Sequence, residues 1–256
     1  MRLLCILTLI LSFSTFAESP EKVPDDIKNY AKDDKWSEVK ISPTGDYLSA
    51  VTRLEGKKVI MLFDLKTLKP LHSMNFKGFA QPGEYHWISE KRIIAQKEYL
   101  ESWRELPVNY GEYYAVNVDG SREKYAFGYK SIGKNRAKPM WGELLDPLVE
   151  DARNILVMGT QMSESDKYKP SVYLVNTVKE RLVKVLESPV KRARFLLDHS
   201  QNVRFVSGID DKNNYKTFLY ENEKWLGTAD LKIENESFQP VSIKGDSNKI
   251  YATNSD

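Results

Sequence analysis

The stretch that decides the fold is Asp46-Tyr47-Leu48-Ser49-Ala50-Val51, because its pattern returns four times. It recurs as Lys91-Arg92-Ile93-Ile94-Ala95, Arg153-Asn154-Ile155-Leu156-Val157-Met158, Gln201-Asn202-Val203-Arg204-Phe205-Val206 and Ser247-Asn248-Lys249-Ile250-Tyr251-Ala252. Each copy is a polar turn running into a short apolar strand. With Leu48, Ile93, Ile155, Val203 and Ile250 aligned, the steps are about 45, 62, 48 and 47 residues. A second strand keeps phase with the first: Ile60-Met61-Leu62-Phe63-Asp64, Tyr114-Ala115-Val116-Asn117, Val172-Tyr173-Leu174-Val175-Asn176 and Phe218-Leu219-Tyr220-Glu221. Turn-strand-turn spacing alone occurs in any all-β chain. Two strands recurring in step at a period in the forties point to the four-stranded blade of a β-propeller.

Outward from these copies the chain stays β. Glu38 to Ile41, Lys58 to Leu65, Glu112 to Val118 and Thr217 to Tyr220 are short and rich in β-branched and aromatic residues. Tyr113 to Val118 alternates and meets Asp119-Gly120, a hairpin-turn signal. One helix is expected, at Pro24 to Lys35, where Pro24 suits a first turn, Asp25 and Asp26 complement the positive helix end, and Ile27, Tyr30 and Ala31 share a face. The expected fold is therefore all-β: a partial β-propeller of about four and a half four-stranded blades with a short N-terminal helix. A propeller closes its ring, since an open end leaves blade faces and a sheet edge uncovered. The count thus predicts a fragment of a longer protein rather than a four-bladed ring with a surplus strand.

Residues 1–17 read as a secretory signal peptide. Met1-Arg2 is positive, Leu3 to Phe16 is apolar apart from small hydroxyl residues, and Thr15-Phe16-Ala17 forms a cleavage site. The apolar run is shorter than the roughly 20 residues of a spanning helix, so no stable membrane span is expected after cleavage. The domain plan is a signal peptide at 1–17, a leader with a short helix at 18–35, and an incomplete propeller at 36–256. The predicted destination is export, the periplasm before full secretion. The only cysteine, Cys5, leaves with the signal peptide, which excludes a disulfide scaffold. Lys plus Arg number 38 against 36 Asp plus Glu, a net charge of +2. That balance creates no field that would select nucleic acid or an anionic membrane.

Val39-Lys40-Ile41-Ser42-Pro43-Thr44-Gly45-Asp46-Tyr47-Leu48-Ser49-Ala50-Val51, preceded by Pro24-Asp25-Asp26-Ile27, resembles the opening of exported bacterial members of the prolyl oligopeptidase family of serine peptidases. These include the acylaminoacyl-peptidase-like and dipeptidyl-peptidase-like branches. The turn has a physical reason: Pro43 presets φ and Gly45 accepts positive φ before the strand begins. The same Ser-Pro-x-Gly turn occurs in TolB-like propellers, and the later turns Ser89-Glu90-Lys91 and Asp198-His199-Ser200-Gln201 depart from it. The resemblance implies a propeller set over a catalytic α/β-hydrolase domain, admitting short peptides and excluding folded proteins.

The chemistry of such a peptidase is missing from this stretch. No Gly-x-Ser-x-Gly elbow occurs: Gly128-Tyr129-Lys130-Ser131-Ile132-Gly133 has the wrong spacing, and Gly245-Asp246-Ser247 precedes a strand. No catalytic residue is therefore assigned, and the chain alone is expected to be inactive. His72, His86 and His199 lack ligand spacing, so no metal or other cofactor is expected. Lys191-Arg192-Ala193-Arg194 reads as a solvated basic run between strands, and Asn235-Glu236-Ser237 matters only as a glycosylation acceptor in a eukaryotic route. The candidate functional element is a long loop from Tyr99 to Tyr114, with Tyr99, Trp103, Arg104 and Tyr110 as substrate-gating residues. The expected function is the substrate-gating propeller of an exported serine peptidase acting on short peptides. The alternative is a non-enzymatic, TolB-like envelope propeller that binds a protein or peptide.

Overall fold

A computed structural model describes residues 35–129, 139–162, 168–179, 181–228, 238–245 and 249–253. The expected signal peptide, the leader helix up to Asp34, Ser131 to Gly133 and the Asn235 acceptor lie outside these residues.

Four antiparallel sheets of four strands follow one another along the chain, and two further strands form a fifth. The first blade comprises β1 (Ser37–Ile41), β2 (Tyr47–Leu54), β3 (Lys57–Asp64) and β4 (Pro70–Met74). The second comprises β5 (Ala80–Ser89), β6 (Arg92–Tyr99), β7 (Val108–Asn117) and β8 (Lys124–Phe127). The third is built from β9 (Met140–Asp146), β10 (Asn154–Gln161), β11 (Ser171–Asn176) and β12 (Arg181–Glu187), and the fourth from β13 (Lys191–Leu197), β14 (Val203–Ile209), β15 (Tyr215–Glu221) and β16 (Lys224–Gly227). The last sheet pairs β17 (Gln239–Ile243) with β18 (Ile250–Thr253). Within each full blade the strands pair in sequence order, so each blade is a meander. The five aligned sequence copies fall on β2, β6, β10, β14 and β18, the second strand of every sheet. The in-phase strands Ile60 to Asp64, Tyr114 to Asn117, Val172 to Asn176 and Phe218 to Glu221 fall on the third strands, β3, β7, β11 and β15.

Period-two alternation explains how the blades stack. On β6, Ile93 and Ala95 face the first blade and pack with Val51, Ile60, Leu62 and Met74. Ile94, one residue out of phase, joins Ile155 and Val157 of β10 on the opposite side. On β10 in turn, Leu156 and Met158 point to the fourth blade and meet Ala193, Phe195 and Val206. Each middle blade is thus buried on both faces, which is why its inner strands read as continuous apolar runs. Each large side chain sealed in this way contributes about 1.5–3 kcal/mol.

The first turn forms as its residues predict. The Gly45 N–H donates to the Ser42 carbonyl at 2.9 Å, the Ser42 hydroxyl accepts from the Tyr47 N–H at 3.0 Å, and Gly45 holds φ at 78°. Two sequence expectations need correction. Lys191 to Arg194 does not lie between strands: it opens β13, where Ala193 and Phe195 turn inward and the charged neighbours outward. The segment from Tyr99 to Tyr114 is not a long loop either, because Tyr99 ends β6 and β7 begins at Val108.

Candidate functional site

The segment between β6 and β7 is a braced hairpin. Tyr99 on β6 pairs with Val108 on β7, and Glu98 with Asn109. The next pair is Gln96 with Tyr113, so Tyr110, Gly111 and Glu112 stand opposite the single residue Lys97. That bulge rests on Gly111. Its φ is 70°, and a Cβ there would lie 2.0 Å from the backbone nitrogen of Gly142 on β9. Only glycine satisfies both the left-handed backbone and the close approach of the next blade.

The bulge turns Glu112 into the protein, where it is fully buried. Tyr99 donates its hydroxyl to Glu112 Oε2, while Glu112 Oε1 and the neighbouring Asn109 Oδ1 have no hydrogen-bond partner among the described residues. Burial, reinforced by hydrogen bonds to Glu112 and Tyr129, pushes the Tyr99 phenol above its ordinary range. Tyr110 donates to Glu101 Oε1 at 2.5 Å, Arg104 lies 3.6 Å from Glu101 Oε2, and the Tyr99 and Tyr110 rings are 5.4 Å apart. Lys97 sits 4.5 Å from the Tyr99 ring centroid, with Phe76 and Tyr114 at 5.6 and 5.8 Å.

Three of the four residues singled out from the sequence are therefore brought together: Tyr99, Tyr110 and Arg104, linked through ring contact and Glu101. Trp103 is apart from them, 74% exposed at the tip beside Leu106 at 78%. Leu100 N–H donates to the Phe79 carbonyl, which places the 83% exposed Phe79 against the base of the hairpin. Sequence reasoning missed Glu101, Glu112 and Gly111. Glycine in a strand pattern was the available signal, since it marks a bulge or a close backbone approach.

A second polar element runs along the first strands. Lys40 of β1 donates to the Tyr85 carbonyl of β5 at 2.5 Å. His86 of β5 lies 3.1 Å from Glu84, and its imidazole is held below its ordinary range, mainly by burial and then by Lys40. Glu143 of β9 is accessible but recessed; lost hydration raises its carboxyl, and Arg194 of β13 opposes the shift. The first strands of four successive blades thus carry the charged groups Lys40, Glu84, Glu143 and Arg194, in the order positive, negative, negative, positive. His72 packs beside Gly120, and His199 bonds the Ile243 carbonyl at 3.1 Å. Among the described residues no group of three or more His, Cys, Asp or Glu is placed to hold a metal ion. No catalytic constellation is assigned among them.

Comparison with solved structures returns several similar chains, among them a β-propeller domain. The acylaminoacyl peptidase of Pyrococcus horikoshii is 15% identical, with 86% of this chain and 35% of that chain covered and a TM-score of 0.49. The β-propeller domain of the trilobed protease from Pyrococcus furiosus is 14% identical, covering 85% of this chain and 64% of that one, with a TM-score of 0.47. TolB from Acinetobacter baumannii is 13% identical, at 76% and 43% coverage, with a TM-score of 0.37. This chain spans about a third of the length of the acylaminoacyl peptidases it matches. No protein-family model matches the sequence, and no curated protein does.

Proposed function

We propose that this chain is the substrate-gating propeller portion of an exported serine peptidase that cleaves short peptides. In this reading residues 1–17 direct export to the periplasm, and the catalytic serine, aspartate and histidine lie on an α/β-hydrolase domain outside these residues. The propeller admits and orients peptides and performs no bond chemistry.

The observation that carries the reading is the braced β6–β7 hairpin. Its base is pinned by Tyr99 on Glu112 and by Tyr110 and Arg104 on Glu101, yet its tip presents Trp103 and Leu106 to solvent. Exposed apolar side chains on a rigid support mark a surface that meets another molecule. The Ser42-Pro43-Thr44-Gly45 opening and the meander blades support the family resemblance. The test is labelling of the full-length protein with a serine-directed fluorophosphonate. Labelling that is lost when the serine of a Gly-x-Ser-x-Gly elbow is replaced supports the proposal. An unlabelled full-length protein overturns it in favour of a non-enzymatic binding propeller.

A further inference from the structure

At the opposite end of the blades, the turns of three neighbouring sheets surround a groove of about 520 Å³. Pro43 and Thr44 come from the β1–β2 turn, Ser89 from the end of β5, Glu90 and Lys91 from the β5–β6 turn, Arg122 from the β7–β8 turn, and Val149, Glu150, Ala152 and Arg153 from the β9–β10 connection. Arg92 lines this groove while being only 3% exposed. Its guanidinium ties the second blade to the third. Nη2 donates to the Thr177 carbonyl at 2.8 Å and to the Ala115 carbonyl at 3.4 Å, Nε to Thr177 Oγ1 at 3.2 Å, and Nη1 to Asn117 Oδ1 at 2.9 Å. Thr177 in turn donates its N–H and its hydroxyl to the Arg153 carbonyl, which sets Arg153 beside the same junction.

All four of these acceptors are neutral. They offset the lost hydration of the guanidinium but leave its charge uncompensated, and a buried charge without a counter-charge is costly. The surroundings add to the deficit. Burial and the nearby Arg122 together push the Arg92 pKa down to about 10. Lys91 is engaged by Glu90 at 3.1 Å. That leaves Arg92, Arg122 and Arg153 in the lining against Glu150. Planar guanidinium forks are suited to oxyanions, which they bind through paired hydrogen bonds.

We propose that this groove is an anion site, with Arg122 and Arg153 contacting a phosphate or carboxylate group and the buried Arg92 supplying a fixed positive field beneath it. The site is independent of the β6–β7 hairpin and of any peptidase activity. Two chemistries share this recognition, a tetrahedral oxyanion and a carboxylate, and two titrants separate them.

The test is isothermal titration calorimetry of the full-length protein at pH 7 with sodium phosphate and, separately, with succinate, ionic strength being held constant with sodium chloride. Saturable binding of either anion supports the site, and the tighter of the two identifies the ligand chemistry. Arg122→Gln and Arg153→Gln are exposed substitutions expected to keep the melting temperature, and each is expected to weaken binding about tenfold through one lost charge-assisted contact. Absence of saturable binding by both anions overturns the proposal, as does wild-type affinity in both variants.

Discussion

Half-buried Tyr99 donates its phenol to Oε2 of the fully buried Glu112 carboxylate, whose Oε1 has no hydrogen-bond partner among the described residues. The pair joins the last residue of β6 to the bulge of β7, so it holds the hairpin base. Tyr99→Phe would take this donor away from a fully buried carboxylate. A loss of about 1–3 kcal/mol is expected from urea unfolding, the cost of an unsatisfied buried group. The double variant Tyr99→Phe with Glu112→Leu should lose less than the two single variants added together, because the pair acts as a unit.

The bulge itself is testable through two glycines with similar backbones. Gly111 and Gly45 hold φ at 70° and 78°, but a Cβ at Gly111 meets the Gly142 backbone at 2.0 Å, while one at Gly45 meets nothing within 4 Å. Gly45→Ala should cost about 1–2 kcal/mol, the strain of a left-handed alanine. Gly111→Ala must also push the second and third blades apart, and a loss beyond about 3 kcal/mol or failure to fold is expected. Equal melting temperatures for the two variants would refute the close approach of these blades at Gly111.

Tyr85 couples stability to alkaline pH. Its side chain is fully buried; the hydroxyl donates to the Glu38 carbonyl at 2.5 Å and lies 3.1 Å from Ser49 Oγ. Burial, the largest cause, pushes its pKa from 10.0 to about 12. A phenol whose folded pKa is raised contributes stability that is fully present below pH 10. That contribution is lost as pH rises through 12, and it amounts to roughly 2–3 kcal/mol. Tyr85→Phe should be about 1 kcal/mol less stable at pH 7 through the lost hydrogen bond. It should also show a shallower loss between pH 10 and 12 when urea unfolding is followed across that range. Tyr113, likewise raised to about 12 by burial, keeps a residual slope in both proteins.

The second and third strands of each blade were legible because both their faces are buried. Ile93, Ile94 and Ala95 are all fully sealed, so β6 appears as an apolar run whatever its neighbours do. The fourth strands were not legible: β12, Arg181–Glu187, buries only Leu186, leaves Val183 and Val185 exposed and interrupts its apolar residues with Arg181, Lys184 and Glu187. Pro82 and Gly83 hid β5, and the basic spacing of Lys191, Arg192 and Arg194 hid β13, although Ala193 and Phe195 carry its inward period. At the hairpin the sequence offered Tyr99, Trp103, Arg104 and Tyr110 as substrate-gating residues of a long loop. What it did not reveal was Glu112, whose burial depends on a contact between Gly111 and Gly142 of the next blade. Arg92 escaped notice for the same reason, since its partner Thr177 is 85 residues away in another blade.

Gating of peptide access by the β6–β7 hairpin is tested most directly by kcat/KM of the full-length protein on a graded series of peptide lengths. The comparison is between the wild type and a variant whose residues 101–106 are replaced by a short Gly-Ser turn. Under gating, the wild type cleaves short peptides with a sharp upper length limit, and the shortened hairpin raises that limit while leaving the rate on the shortest peptide largely unchanged. An unchanged length limit, or no hydrolysis at any length, would contradict it.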